Sequence, residues 1–135
     1  MLRLVLDTNV WLDLLVFNDP RVGAIRRAVE EGRAQIFIDA ACEAELERVL
    51  AYDFGRHRIP PEAIAQCRAV CKRIGGVLSE ADRARLPRCA DPDDQKFVEA
   101  AAAAGADILV TKDLSLLRMR RLPFRVLAPD ACAAL

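Results

Sequence analysis

Leu2-Arg3-Leu4-Val5-Leu6-Asp7 opens the chain with an apolar run closed by a carboxylate. Such a short run reads as a strand buried on both faces, the kind found inside a parallel sheet, with an acid at its carboxyl end. That end matters, because ligands of open α/β sheets gather outside the carboxyl ends of the strands, above all where the strand order reverses.

The rest of the chain alternates around this strand. Val10 to Phe17 has apolar residues at helical spacing, and Val22 to Ile25 with Val29 continues a second helix that Gly32 stops. Ala34 to Ile38 is a second strand ending at Asp39, and Cys42, Leu46, Val49 and Leu50 form the apolar stripe of a helix running to about Tyr52. Pro60-Pro61 starts a further helix with Ile64, Cys67, Cys71 and Ile74 facing inward; Gly75-Gly76 ends it before a brief strand at Val77 and Leu78. Ser79 to Ala90 reads as loop. Asp91-Pro92-Asp93-Asp94 opens a helix carrying Phe97, Val98 and alanines to Ala104, ended by Gly105. Ile108 to Thr111 is a fourth strand, a short helix starts at Leu114, a loop spans Arg118 to Pro123, and Phe124 to Leu127 is a fifth strand before a small tail after Pro129. Strands alternating with helices predict an α/β sandwich with five parallel strands, in one domain over residues 1–135.

Composition narrows the function. In 135 residues, 53% hydrophobic side chains with 20 basic and 20 acidic groups suit a packed globular chain and exclude disorder. The longest apolar stretch, around Ala100 to Ala104, is far short of the roughly 20 residues that cross a bilayer, and Met1-Leu2-Arg3 leads into no secretory signal, so a cytoplasmic protein without membrane contact is expected. Five cysteines without a Cys-x-x-Cys pair form neither a disulfide framework nor a zinc motif, and His57 is the sole histidine, which leaves little for a zinc hydrolase or a serine triad. Zero formal net charge argues against coating nucleic acid by bulk electrostatics, although every basic residue but Lys72, Lys96 and Lys112 is an arginine, whose planar fork suits phosphate.

Four acids fall where strands end or where helices begin beside them. Asp7 follows the first strand, Asp113 follows the fourth, Asp94 lies in the first turn of the helix before the fourth, and Glu43 or Glu45 begins the helix after the second. Singly, each has a plain structural explanation as a helix cap or a dipole-compensating acid, and this holds for Asp91 also. Asp94, however, stands three and four residues before Phe97 and Val98 and so shares their sheet-facing side, which a cap does not require. Carboxylates crowded at one edge repel unless a cation neutralises them. An all-oxygen set without paired His or Cys suits Mg²⁺ or Mn²⁺, which can generate a hydroxide for phosphodiester hydrolysis.

At these residues the chain resembles the PIN-domain nucleases, and within them the VapC-like toxin components of bacterial toxin-antitoxin pairs. The resemblance rests on Leu4-Val5-Leu6-Asp7-Thr8-Asn9-Val10, Glu45-Leu46-Glu47-Arg48-Val49-Leu50, Asp91-Pro92-Asp93-Asp94-Gln95-Lys96-Phe97 and Leu109-Val110-Thr111-Lys112-Asp113, in that order. It implies a sheet of order 3-2-1-4-5, frequent homodimers and RNA as substrate. Carried over by position, it implies Asp7, Glu45, Asp94 and Asp113 as catalytic and Mg²⁺- or Mn²⁺-binding acids, with Asp91 as an additional acid, and it selects Glu45 over Glu43. Asn9 and Thr111 match the polar positions that order the first and last acids, and Lys112 stands where relatives often carry a small residue.

The expected function is a divalent-metal-dependent endoribonuclease, the toxin of a type II pair bound by a cognate antitoxin. The alternative is an RNA-processing or catalytically inactive PIN domain that binds RNA or protein. A phosphatase of the haloacid dehalogenase type also ends its first strand in an aspartate, but needs a second two positions on, where this chain has Asn9. Lys112, Arg56 and Arg58 in a loop with His57 and Phe54, and Arg118, Arg120 and Arg121 are the expected substrate contacts. Val10, Trp11, Leu14, Leu15 and Phe17 include more large apolar groups than one short helix face buries, which points to a dimer or antitoxin contact there.

Overall fold

In the computed structural model, which describes residues 1–52, 62–75 and 78–134, the opening run forms β1 (Leu2–Leu6), with Leu4, Val5 and Leu6 buried. It lies at the centre of a five-stranded parallel sheet of order β3-β2-β1-β4-β5, where β2 is Ala34–Ile38, β3 Cys71–Arg73, β4 Ile108–Val110 and β5 Arg125–Leu127. Leu4 pairs with Ile36 on one side and Ile108 on the other. Where the strand is flanked on both sides and covered on both faces it has to be apolar, which is why Leu4, Val5 and Leu6 run without alternation while Arg3, nearer the amino end, is exposed.

Helices flank the sheet. The helix expected from Val10 to Phe17 is α1 (Thr8–Leu12) followed by a π-helical turn, Asp13–Phe17, that Asn18 ends in the left-handed region at φ 50°. Next come α2 (Gly23–Glu30), terminated near Gly32 at φ 73°, and α3 (Ala40–Leu50), whose first turn is capped by Asp39 accepting the Cys42 N–H at 2.9 Å. Later elements are α4 (Ala63–Val70), α5 (Glu80–Arg85), α6 (Gln95–Ala103) after a 3-10 turn at Pro92–Asp94, and α7 (Leu114–Leu117). A 3-10 stretch, Pro129–Ala134, packs against α2, while α6 packs on β1 and β4 and against α3. Among the described residues no helix is long and apolar enough to cross a membrane.

The third strand differs from expectation. The helix expected to carry Cys71 and Ile74 stops at Val70; Cys71 turns extended at φ −129° and ψ 161° and starts β3, pairing with Ile36. Leu78 belongs to no strand, and Val77 with Pro60-Pro61 lies outside the described residues. Two tertiary interactions explain the change. The open side of β2 needs a partner for its backbone, down to the Ile74 N–H donating to the Ile38 carbonyl at 2.8 Å. The buried Glu43 carboxylate also draws in both Arg68 and Arg73, at 3.1 and 2.8 Å. Lys72 and Arg73 are exposed, as suits an edge strand, and that polarity hid the strand in the sequence. The stretch read as loop from Ser79 to Ala90 contains α5, which Ser79 caps through the Asp82 N–H.

The apolar excess near residue 11 is largely core. Val10 and Trp11 are fully buried, whereas Leu14, Leu15, Val16 and Phe17 on the π turn are half-buried. Replacing Trp11 by alanine should therefore cost about 3–5 kcal/mol of folding stability, read as a large drop in the urea midpoint; a near-neutral effect would place the indole outside the core.

Candidate active site

The site is built at the carboxyl end of the sheet, in the crevice where the chain leaves β1 for β2 on one side and reaches β4 on the other. Asp7 continues the ladder, its N–H donating to the Val110 carbonyl at 3.0 Å, and its side chain is only 4% exposed. One carboxylate oxygen accepts the Asn9 N–H at 2.7 Å, so Asp7 caps α1; the other accepts the hydroxyl of the buried Thr111. Burial raises the Asp7 pKa and the neighbouring Asp113 charge adds to it, while the Thr111 and Asn9 hydrogen bonds pull the other way.

Thr111 joins two acids, since its hydroxyl oxygen accepts the Asp113 N–H at 3.0 Å while its proton goes to Asp7. Asp113 caps α7 through the Ser115 N–H at 2.9 Å and accepts the Ser115 hydroxyl at 2.9 Å, and these bonds hold its pKa down. The same hydroxyl lies 3.1 Å from Asp94 Oδ2. A serine has one proton to give, and the Cys89 thiol already points at its oxygen from 3.4 Å, so one carboxylate of the pair is left short of a donor. Asp94 bears the consequence. Burial and the adjacent Asp113 push its pKa up to about 6. Although it sits at the amino end of α6, its carboxylate makes no capping bond there and is turned to Ser115 instead.

Glu45, on α3, has a different environment. Its Oε2 accepts the Thr8 hydroxyl, and its Oε1 lies 2.7 Å from Lys96 Nζ and 3.7 Å from Arg48 Nη2. Burial alone would raise its pKa, but Lys96 and Thr8 outweigh it and the carboxyl is held below its ordinary value. Glu43, the other acid considered on this helix, faces Arg68 and Arg73 and is tied up in structure. Asp91 is exposed and caps the 3-10 turn through the Asp93 N–H at 3.0 Å, near enough for its charge to act on Asp94.

The sequence pattern of the PIN domain matches residues 3–115, a span that contains every one of these acids. The chain belongs to the PIN-domain family. No curated protein matches the chain. The PIN domain is a nuclease fold, and the sheet order seen here is the one the resemblance implied.

Within this PIN domain the polar neighbours play definite parts. Asn9 acts on Asp7 through its backbone, its side chain being exposed, whereas Thr111 acts through its side chain. Lys112 pairs with the buried Asp13 on the π turn at 2.6 Å. Arg118 closes α7, and Arg120 and Arg121 lead back to the start of β5, which pairs with the start of β4; this path runs toward the amino edge of the sheet, away from the acids. Arg56 and Arg58, with His57 and Phe54, lie outside the described residues. The sequence reading missed Thr8, Lys96 and Ser115. Only Ser115 carried a local signal, a hydroxyl two residues past an acid at a helix start.

The donor chemistry fits a hard cation: Asp7, Asp94 and Asp113 offer only oxygen, and among the described residues no lysine or arginine pairs with them. The coordination sphere itself is not preformed, since among the described residues no three Asp, Glu, His or Cys side chains already converge on one point. Asp7 is turned to the Thr111 hydroxyl and the Asn9 N–H, while Asp94 and Asp113 share the Ser115 hydroxyl and lie within hydrogen-bond reach of each other.

The raised Asp94 pKa has a stability consequence with a definite sign. Between pH 4 and 6, about, the folded chain holds a proton that the unfolded chain, with a carboxyl near 3.8, has released, so stability falls as pH rises through this window. In EDTA, Asp94→Asn should therefore melt higher than the wild type at pH 7.5, with the two melting temperatures converging toward about pH 4. Thermal melts across that range check this, and a gap independent of pH would refute it.

Proposed function

We propose that the chain is a divalent-metal-dependent endoribonuclease whose catalytic acids are Asp7, Asp94 and Asp113, with Glu45 beside them. The observation that carries this reading is the linkage of three carboxylates, from β1, the start of α6 and the start of α7, through two hydroxyls and without a cationic partner among the described residues. The buried acids Glu43 and Asp13 are by contrast matched by cations, Glu43 by Arg68 and Arg73 and Asp13 by Lys112.

Asp7, Asp94 and Asp113 would hold a Mg²⁺ or Mn²⁺ ion, which would supply the Lewis-acid chemistry of phosphodiester hydrolysis. The residues of the chain prepare for that. Thr111 and the Asn9 N–H orient Asp7, Ser115 orients Asp113 and Asp94, and Asp91 adds negative charge at the rim. Arg48, largely exposed beside Glu45, supplies a guanidinium suited to a backbone phosphate of RNA.

The finer reading is a cytoplasmic toxin of a type II pair, restrained by an antitoxin and acting as a homodimer. The four motifs of the resemblance support the toxin assignment, and the half-buried Leu14, Leu15, Val16 and Phe17 offer apolar surface for a protein contact. A second reading, an RNA-processing or inactive PIN domain that binds RNA or protein, draws its support from the incomplete convergence of the acids.

Purified protein should cut single-stranded or structured RNA with Mn²⁺ or Mg²⁺ and not with EDTA, and Asp7→Asn or Asp113→Asn should lose at least about 100-fold of the activity. Thr111→Val, which keeps the shape and removes the hydroxyl, should cost about 10–100-fold in metal affinity or activity. Metal-independent cutting, or cutting that survives both acid variants, would overturn the assignment; bound metal without cutting of any RNA would favour the binding-module reading.

A further inference from the structure

Lys96 divides the acids of the site into two electrostatic classes. Its ammonium comes from α6, two residues beyond Asp94, and crosses to α3, where it lies 2.7 Å from Glu45 Oε1. The Thr8 hydroxyl takes Oε2, and Arg48 stands 3.7 Å from Oε1. Each oxygen of Glu45 thus has a donor of the chain, the Lys96 ammonium on one and the Thr8 hydroxyl on the other, with the Arg48 guanidinium as a more distant ion pair. Asp7, Asp94 and Asp113 have hydroxyl and N–H donors and no cation among the described residues.

The other lysine near the acids does not alter this division, because Lys112 is paired with Asp13. Nor is Lys96 a free surface charge: its side chain is 26% exposed and that of Glu45 17%, so their attraction is only partly screened by water. A divalent ion seated on Glu45 would have to displace this ammonium or stand beside it, a like-charge contact in a partly desolvated place. A divalent ion on the other three acids meets only uncompensated carboxylates.

We propose that Lys96 is a resident cation of the site: it takes the place of a second metal at Glu45, so that this PIN domain holds one divalent ion, on Asp7, Asp94 and Asp113. The inference rests on the metal-dependent reading above and adds to it the number of ions and the residue that limits it. Glu45 is then a positioning residue, fixing Lys96 and Thr8 at the rim, and it does not ligate the ion.

The test counts Mn²⁺ bound per full-length chain at pH 7.5, by calorimetry and by the paramagnetic resonance of the free ion, with no substrate present. The wild type is expected to bind one ion, Asp94→Asn none, and Glu45→Gln one. Lys96→Met, which keeps the length of the stem and removes the charge, should bind two, and the double variant Lys96→Met/Glu45→Gln should return to one. Lys96→Arg keeps a cation and should stay at one.

Two ions on the wild type, a single ion on a folded Lys96→Met protein, or loss of the ion in Glu45→Gln would each overturn the role of Lys96 while leaving the metal-dependent reading standing. No ion on the wild type would overturn the metal-dependent reading and the role of Lys96 with it. If Lys96→Met does not fold, by circular dichroism, the counts for wild type and Glu45→Gln decide the matter.

Discussion

The burial of the Asp7 carboxylate where β1 gives way to α1 constrains everything around it. A charge placed 4% exposed beside the apolar ends of two strands is tolerated only with its oxygens hydrogen-bonded, and leaving one uncompensated costs several kcal/mol. The Asn9 N–H meets one oxygen, which makes the first turn of α1 begin where it does. The Thr111 hydroxyl meets the other, which holds the end of β4 against the end of β1. Since that hydroxyl also accepts the Asp113 N–H, the last acid is positioned by the same bond that satisfies the first.

The chain handles its partly or fully buried acids in two ways, and the contrast separates the cation-paired acids from those of the candidate site. Glu43 is neutralised by Arg68 and Arg73, Asp13 by Lys112, and Glu45 by Lys96, each within 3.1 Å. Those pairings tie elements together: Glu43 links α3 to α4 and β3, and Asp13 links the π turn to the end of β4. Asp7, Asp94 and Asp113 are instead held by groups that orient a carboxylate without cancelling its charge. The raised pKa values of Asp7 and Asp94 are the cost of that arrangement, a local instability of the kind that a cation bound there would relieve.

Legibility in the sequence followed locality. β1 and β4 were readable because Leu4-Val5-Leu6 and Ile108-Leu109-Val110 are buried on both faces and so apolar whatever their neighbours are, and β2 because its run is mostly apolar, with Ala34, Ile36 and Ile38 turned inward. α3 and α6 were readable from their apolar stripes, and α6 also from the acids around Pro92 that open it, whereas the Asp39 cap of α3 emerged only in the structure. β3 was not readable, because Cys71-Lys72-Arg73 is extended only by pairing with the edge of β2 and by the pull of Glu43 on Arg73. The arginines after α7 looked close to the last acid in sequence, yet the chain there runs back along the sheet, so proximity in number did not become proximity in space.

By itself the sequence determined the α/β alternation, the acids at the carboxyl edge and, through the four motifs, the family; these depend on periodicity and on residues that do their work within a turn or two of the chain. The tertiary structure decided which acids share hydrogen-bond partners. Ser115 joins Asp94 to Asp113, Thr111 joins Asp113 to Asp7, and Lys96 sets Glu45 apart, each through a side chain that reaches from one element to another. Carboxylate energetics depend on what stands within about 4 Å, and that distance is a property of the packed sheet and helices rather than of spacing along the chain.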